Sequence, residues 1–155
     1  MTMVDVGDVA PDFTLKDQFG QELALSSFRG EKNVVVIFFP RAFTGVCQGE
    51  LCAIRDDLSR FQNHETQVLG VSVDTPQSLK KWADEQGYDF PLLSDFWPHG
   101  GTAIAYGVFN EVAGLATRGT FVIDKSGVLR WSVINAIPDA RDQAEYGKAL
   151  EALGA

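Results

Sequence analysis

One stretch of the 155-residue chain concentrates residue types that can do chemistry: Phe39-Pro40-Arg41-Ala42-Phe43-Thr44-Gly45-Val46-Cys47-Gln48-Gly49-Glu50. It follows an unbroken β-branched and aromatic run, Asn33 to Phe39, the mark of a strand buried on both faces. After it, Val46, Leu51, Ile54, Leu58 and Phe61 recur at helical spacing, so Cys47 falls in or beside the first turn of a helix. There, unpaired backbone N–H groups and the positive end of the helix dipole favour a thiolate over a thiol. A thiolate is a nucleophile. The competing reading is a free cysteine packed as a small hydrophobe.

The elements that must position this stretch follow from local pattern. Asp12 to Lys16 alternates as a strand, Asp17-Gln18-Phe19-Gly20 reads as a turn, and Gln21 to Leu25 as the hairpin partner. Ser26 is expected to cap a short helical turn that Gly30 ends. Val68 to Val73 reads as a second buried strand, and Pro76 opens a helix carrying Leu79, Trp82 and Ala83 that Gly87 closes. A short strand at Pro91-Leu92-Leu93 precedes a loop from Ser94 to Gly101. Thr117 to Ile123 and Val128 to Ile134 form a hairpin across Asp124-Lys125-Ser126-Gly127, and a last helix runs from about Asp142 to Leu153. Strands alternating with helices, then a hairpin and a helix, indicate an α/β sandwich with a mixed sheet, built as one domain over residues 1–155.

Composition excludes several classes. The formal net charge is −8 with both signs interspersed, whereas nucleic-acid binding needs clustered Lys and Arg. Arg41 and Arg118 are the candidates for a local basic spot. The run Val34 to Phe39 is six residues, far short of the ~20 that span a membrane. Met1 to Asp8 has neither a basic nor an apolar signal region, so a cytoplasmic location is expected, with no membrane partner. Two cysteines cannot make a disulfide framework, and a pair in a reducing compartment points to catalysis or metal. His64 and His99 are far apart and lack a ligand-spaced partner, so no metal is expected, and no dinucleotide or phosphate-loop fingerprint calls for a cofactor.

Pro40-x-x-x-Thr44-x-x-Cys47 matches the active-site motif of the peroxiredoxins, with Glu50 where many members carry a glutamate. Gly7-Asp8-Val9-Ala10-Pro11-Asp12-Phe13-Thr14-Leu15 and Arg118-Gly119-Thr120-Phe121-Val122-Ile123-Asp124 also resemble that family, so the likeness spans nearly the whole chain. Phe43 to Leu51 and Ser94 to Gly100 most resemble the one-cysteine AhpE type of mycothiol-using bacteria. The resemblance implies a thioredoxin-like fold with an N-terminal β-hairpin, flanking helices and a homodimer. It implies a thiol-dependent peroxidase acting on hydrogen peroxide, organic hydroperoxides or peroxynitrite. Cys47 would attack the peroxide, Thr44 would place its hydroxyl near sulfur and peroxide, and Pro40 would shield the thiolate without offering an N–H. Arg118 would be the cation beside the thiolate. A unit charge at ~4 Å and effective dielectric ~20 contributes roughly 4 kcal/mol, about 3 pKa units before desolvation. That raises a thiolate fraction of about 3% at pH 7 roughly thirtyfold, so most of a large acceleration must come from holding the peroxide and stabilising its breaking O–O bond.

Glu50 is expected either to orient Arg118 or to be a solvated helix residue. Arg41 faces the pocket mouth or pairs on the surface, and Phe39, Phe43, Phe96 and Trp97 form a pocket collar, a dimer surface or core. The departure from the one-cysteine pattern is Cys52, four residues intervening after Cys47. That is the spacing at which bacterioferritin-comigratory-type peroxiredoxins keep a resolving cysteine, and the two readings, resolving or packing, stand side by side. The first implies thioredoxin as reductant, the AhpE-like surroundings imply mycothiol with mycoredoxin. The alternative function is a peroxide sensor or redox-regulated holdase on the same scaffold, and a thioredoxin-like reductase would want two intervening residues rather than four.

Overall fold

The computed structural model describes residues 4–136 and 143–153. The chain opens with a hairpin, β1 (Thr14–Lys16) and β2 (Glu22–Ala24), followed by a short 3-10 turn over Leu25–Phe28. Ala24, not Ser26, occupies the cap of that turn, and Ser26 lies inside it. β3 (Asn33–Phe38) leads into α1 (Gly45–Asp56) and α2 (Leu58–Phe61), then β4 (Thr66–Ser72), α3 (Pro76–Gln86) and β5 (Leu92–Ser94). α4 (Gly101–Ala105), the small ladder β6 (Phe109–Asn110) and β7 (Leu115–Ala116), the hairpin β8 (Arg118–Ile123) and β9 (Leu129–Asn135), and α5 (Gln143–Ala152) complete the fold. The sheet order is β2-β1-β5-β4-β3-β8-β9, with β3, β4 and β5 parallel and the rest antiparallel.

Alternation along the strands builds two cores. Val35, Ile37 and Phe39 face one side with Val68, Val122 and the apolar faces of α1, α2, α3 and α5; Val34, Val36 and Phe38 face the other with Leu69, Val71, Phe121, Ala103 and Tyr106. A strand buried on both faces must be apolar at every position, which is why β3 reads as a continuous run. α3 begins as its sequence directs: Thr75 Oγ1 accepts the Ser78 N–H at 3.2 Å, Pro76 occupies the first position, and Gly87 ends the helix at φ 72°.

Three features depart from the sequence pattern. The helical periodicity from Val46 to Phe61 is split between α1 and α2, because Asp57 leaves the helical region (φ −131°, ψ 39°) with its N–H on the Ile54 carbonyl. The break turns Phe61 fully into the core. The segment after Ser94 is more ordered than a plain loop. Asp95 is buried and accepts the N–H groups of Thr102 and Ala103, starting α4, and its burial pushes its carboxyl above the usual range against those two bonds. The β6–β7 ladder was not visible as a pattern, since two-residue strands carry no periodicity. Of the last helix, Asp142 lies outside the described residues.

Gly70, in the middle of β4, leaves no room for a side chain: a Cβ there would lie 2.9 Å from Leu92 Cδ2 and 3.3 Å from Phe39 Cε1. Gly70→Ala is therefore expected to destabilise the fold by about 1–3 kcal/mol, read as a lower urea midpoint at unchanged slope.

Candidate active site

The sheet topology brings the sequence candidates to one edge. Parallel strands β3, β4 and β5 end together, and β8, antiparallel to β3, begins there. Arg118 is the first residue of β8, two residues past the last β3–β8 pair, Ile37↔Thr120, and so level with the exit of the chain from β3 toward Phe39 and Pro40. Val122 lies in the core under α1, and the period of two puts Thr120 and Arg118 on that same face. Sixty-eight residues of sequence separation from Glu50 vanish in this way.

Arg118 Nη1 donates to Glu50 Oε1 at 2.6 Å, and both side chains are only 3% exposed. Burying a guanidinium demands a counter-charge, and Glu50 is buried beside it rather than solvated on the helix surface. Glu50 stands one turn after Cys47 in α1, and helix positions three apart are neighbours. The side chain of Cys47 lies outside the described residues; its backbone is the third residue of α1. Thr44 occupies the N-cap with extended backbone (φ −111°, ψ 146°), yet its side chain makes no capping bond; Oγ1 donates back to the Arg41 carbonyl at 3.2 Å. The first-turn N–H groups of a helix have no intrahelical partner, and no acidic side chain occupies the first turn of α1. That end of α1 favours an anion.

The connecting turn is under strain. Phe43 is the non-glycine residue with positive φ, 64°, among the described residues, and such a conformation persists only where the surroundings over-determine it. Pro40 and Ala42 are buried on either side of the exposed Arg41. Ala42 N–H donates to Asp74 Oδ2 at 2.7 Å, and the half-exposed Phe43 ring packs on Trp82, centroids 6.1 Å apart. Asp74 was missed from sequence. The signal available was its place just past β4, between Ser72 and Thr75, at the strand ends where α/β sheets put their sites.

Matching this geometry to known proteins, residues 6–132 fit the AhpC/TSA family, well over half of the chain. The chain belongs to that family. It is 53% identical to the alkyl hydroperoxide reductase E of Mycobacterium tuberculosis, over 99% of this chain and all of that one. It is 37% identical to the chloroplastic 2-Cys peroxiredoxin BAS1 of Spinacia oleracea, over 96% of this chain and 59% of that protein. Among solved structures it resembles peroxidoxin BcpB of Mycobacterium tuberculosis, with TM-score 0.83 and 33% identity over 97% of both chains. It also resembles AhpC of Enterococcus faecalis, with TM-score 0.88 and 27% identity over 97% of this chain and 92% of that one. The fold is thioredoxin-like, and the protein is a peroxiredoxin, a thiol-dependent peroxidase.

The other sequence candidates scatter. Cys52 is half-buried on the α1 face toward the end of α3, its Sγ 3.4 Å from Tyr88 Oη and 3.8 Å from Gln86 Oε1. Phe39 is core, whereas Phe96 and Trp97 are exposed, Trp97 by 81%. His99 bonds the Gly114 carbonyl at 2.7 Å, and His64 is exposed. No helix among the described residues is long and apolar enough to cross a membrane.

Removing the Glu50 carboxylate from its buried guanidinium is expected to be expensive. Glu50→Ala should destabilise the protein by about 3–5 kcal/mol in urea unfolding, several times the loss for an exposed ion pair such as Lys80–Asp84.

Proposed function

We propose that Cys47 is the peroxidatic nucleophile of this peroxiredoxin, with Thr44, Arg118 and Pro40 completing the catalytic set and Glu50 supporting it. The observation that supports this reading is the buried Arg118–Glu50 pair, which holds a cation against Glu50, the residue one helical turn after position 47 in α1. The thiolate attacks the terminal oxygen of the peroxide: an S–O bond forms, the O–O bond breaks, and the departing oxygen takes up a proton to leave as water or alcohol, or leaves as nitrite from peroxynitrous acid. The guanidinium, a planar fork of five donors, can bond sulfur and peroxide oxygen together as charge passes between them. Pro40 adds no competing N–H. Hydrogen peroxide, organic hydroperoxides and peroxynitrite are the substrates this chemistry accepts, and the sensor or holdase alternative would want one of Pro40, Thr44 or Arg118 replaced.

The sulfenic acid is then reduced from outside. A first thiol displaces water to give a mixed disulfide, and a second releases Cys47 and a disulfide product. Cys52 is a packing residue in this scheme. α1 is continuous from Gly45 to Asp56, and helix positions five apart hold their Cα atoms roughly 8–9 Å apart, beyond the about 7 Å a disulfide tolerates. Its sulfur meanwhile is engaged with Tyr88 and Gln86. An external low-molecular-weight thiol of the mycothiol class with its mycoredoxin is the matching reductant, and thioredoxin the one that a resolving Cys52 would need. The protein works as one domain, as a homodimer in the cytoplasm, without metal or cofactor.

Cys47→Ser should abolish peroxide reduction with the fold intact; substantial turnover in that variant removes the assignment. Arg118→Ala should raise the Cys47 pKa by about a unit or more and also slow peroxide attack at a pH where the thiolate is saturated. An unchanged rate at that pH would confine Arg118 to ionisation. After one equivalent of peroxide, the wild type should carry one added oxygen, with Cys52 alkylatable once denatured. An intramolecular disulfide, two hydrogens lighter, would make Cys52 the resolving cysteine.

A further inference from the structure

We propose that Asp74 is a positioning residue for peroxide attack: its carboxylate holds the strained turn that delivers Thr44 and the α1 N-terminus to the reacting atoms. The inference rests on Cys47 being the nucleophile. The turn after β3 must stop a buried strand, pass Phe43 at φ 64° and leave Thr44 extended at the cap; inside it, Thr44 Oγ1 donates to the Arg41 carbonyl at 3.2 Å. A tether from outside the turn comes from the residues just past β4: Asp74 Oδ2 accepts the Ala42 N–H at 2.7 Å, one residue before the strained position.

Asp74 is itself anchored on two sides. Ser72 Oγ donates to the same Oδ2 at 2.6 Å, and Ser94 Oγ donates to the Asp74 carbonyl at 2.6 Å, so the ends of β4 and β5 hold the carboxylate toward the turn. A hydrogen bond to a carboxylate is roughly twice as strong as one between neutral groups. Its direction also matters. Without it the Ala42 N–H, on a buried residue, loses its acceptor, and the turn is released to relax at Phe43. The hydroxyl of Thr44 and the N–H groups of α1 would then lose their fixed aim at the peroxide, which costs rate rather than ionisation.

The test separates an acceptor role from a charge role. Asp74→Asn keeps an oxygen that can accept from Ala42 and Ser72 but loses the charge; Asp74→Ala loses both. Peroxide attack at saturating pH should fall about tenfold in D74A and only about threefold in D74N. The Ala42 amide should exchange faster with solvent in the same order, and amides of β3 and β4 should not. Equal losses in the two variants would make Asp74 a charge effect and overturn the proposal, as would wild-type rates in both. If D74A does not fold, D74N and Ser72→Ala decide it: faster Ala42 exchange at an unchanged rate, or unchanged Ala42 exchange, overturns it, while parallel changes support it. Cys47→Ser is run alongside; turnover there removes the nucleophile assignment and this proposal with it, whereas an inactive C47S with a fully active D74A removes this proposal alone.

Discussion

A guanidinium that is 3% exposed sets the terms for the rest of the molecule. Glu50 meets the buried Arg118 at 2.6 Å, and that contact requires α1 to lie across the start of β8 with its second turn facing the sheet. The pair is a weak source of net stability, since the desolvation of both charges offsets much of their attraction. What it fixes is position: a guanidinium anchored in β8 and bonded to α1 does not swing out to pair with a surface carboxylate.

The surrounding fold supplies what that pair needs. Val35, Ile37, Leu51, Ile54 and Val122 form the floor between α1 and the sheet, with little water to screen the charges. β8 runs antiparallel to β3, and this reversal is what puts its first residue, rather than its last, at the edge where β3, β4 and β5 end. A parallel β8 would have carried Arg118 to the far side of the sheet. The turn between β3 and α1, Phe39 to Thr44, closes the arrangement. It is strained at Phe43 and tied through Ala42 to Asp74 just past β4, so the ends of both strands set its path.

Cys52 illustrates how one helix can carry two cysteines at positions on different faces. Five positions from Cys47 in an unbroken helix is about 140° around the axis, so the two belong to different faces. Cys52 falls on the side turned to Tyr88 and Gln86, where a small polarizable side chain fills the gap beside the aromatic cluster of Trp82, Tyr88 and Phe90.

Local chemistry in the chain was sufficient for much of this. The continuous apolar run of β3, the Thr75-Pro76 start and Gly87 stop of α3, and the Asp124 to Gly127 turn were legible because each depends on neighbours within a few residues. The same holds for the placement of Cys47 at a helix start, since Pro40 must end the strand before it. The break at Asp57, the β6–β7 ladder and the start of α4 on Asp95 were not legible, because the core's demand for Phe61 and the capping reach of a buried carboxylate act across the fold. The site divides in the same way. Which residue types are available to it is written in the stretch from Pro40 to Glu50. That Arg118 meets Glu50, that Asp74 holds Ala42 and that Cys52 turns toward Tyr88 was decided by strand order and helix rotation, because contacts between distant residues are set by the packing of whole elements.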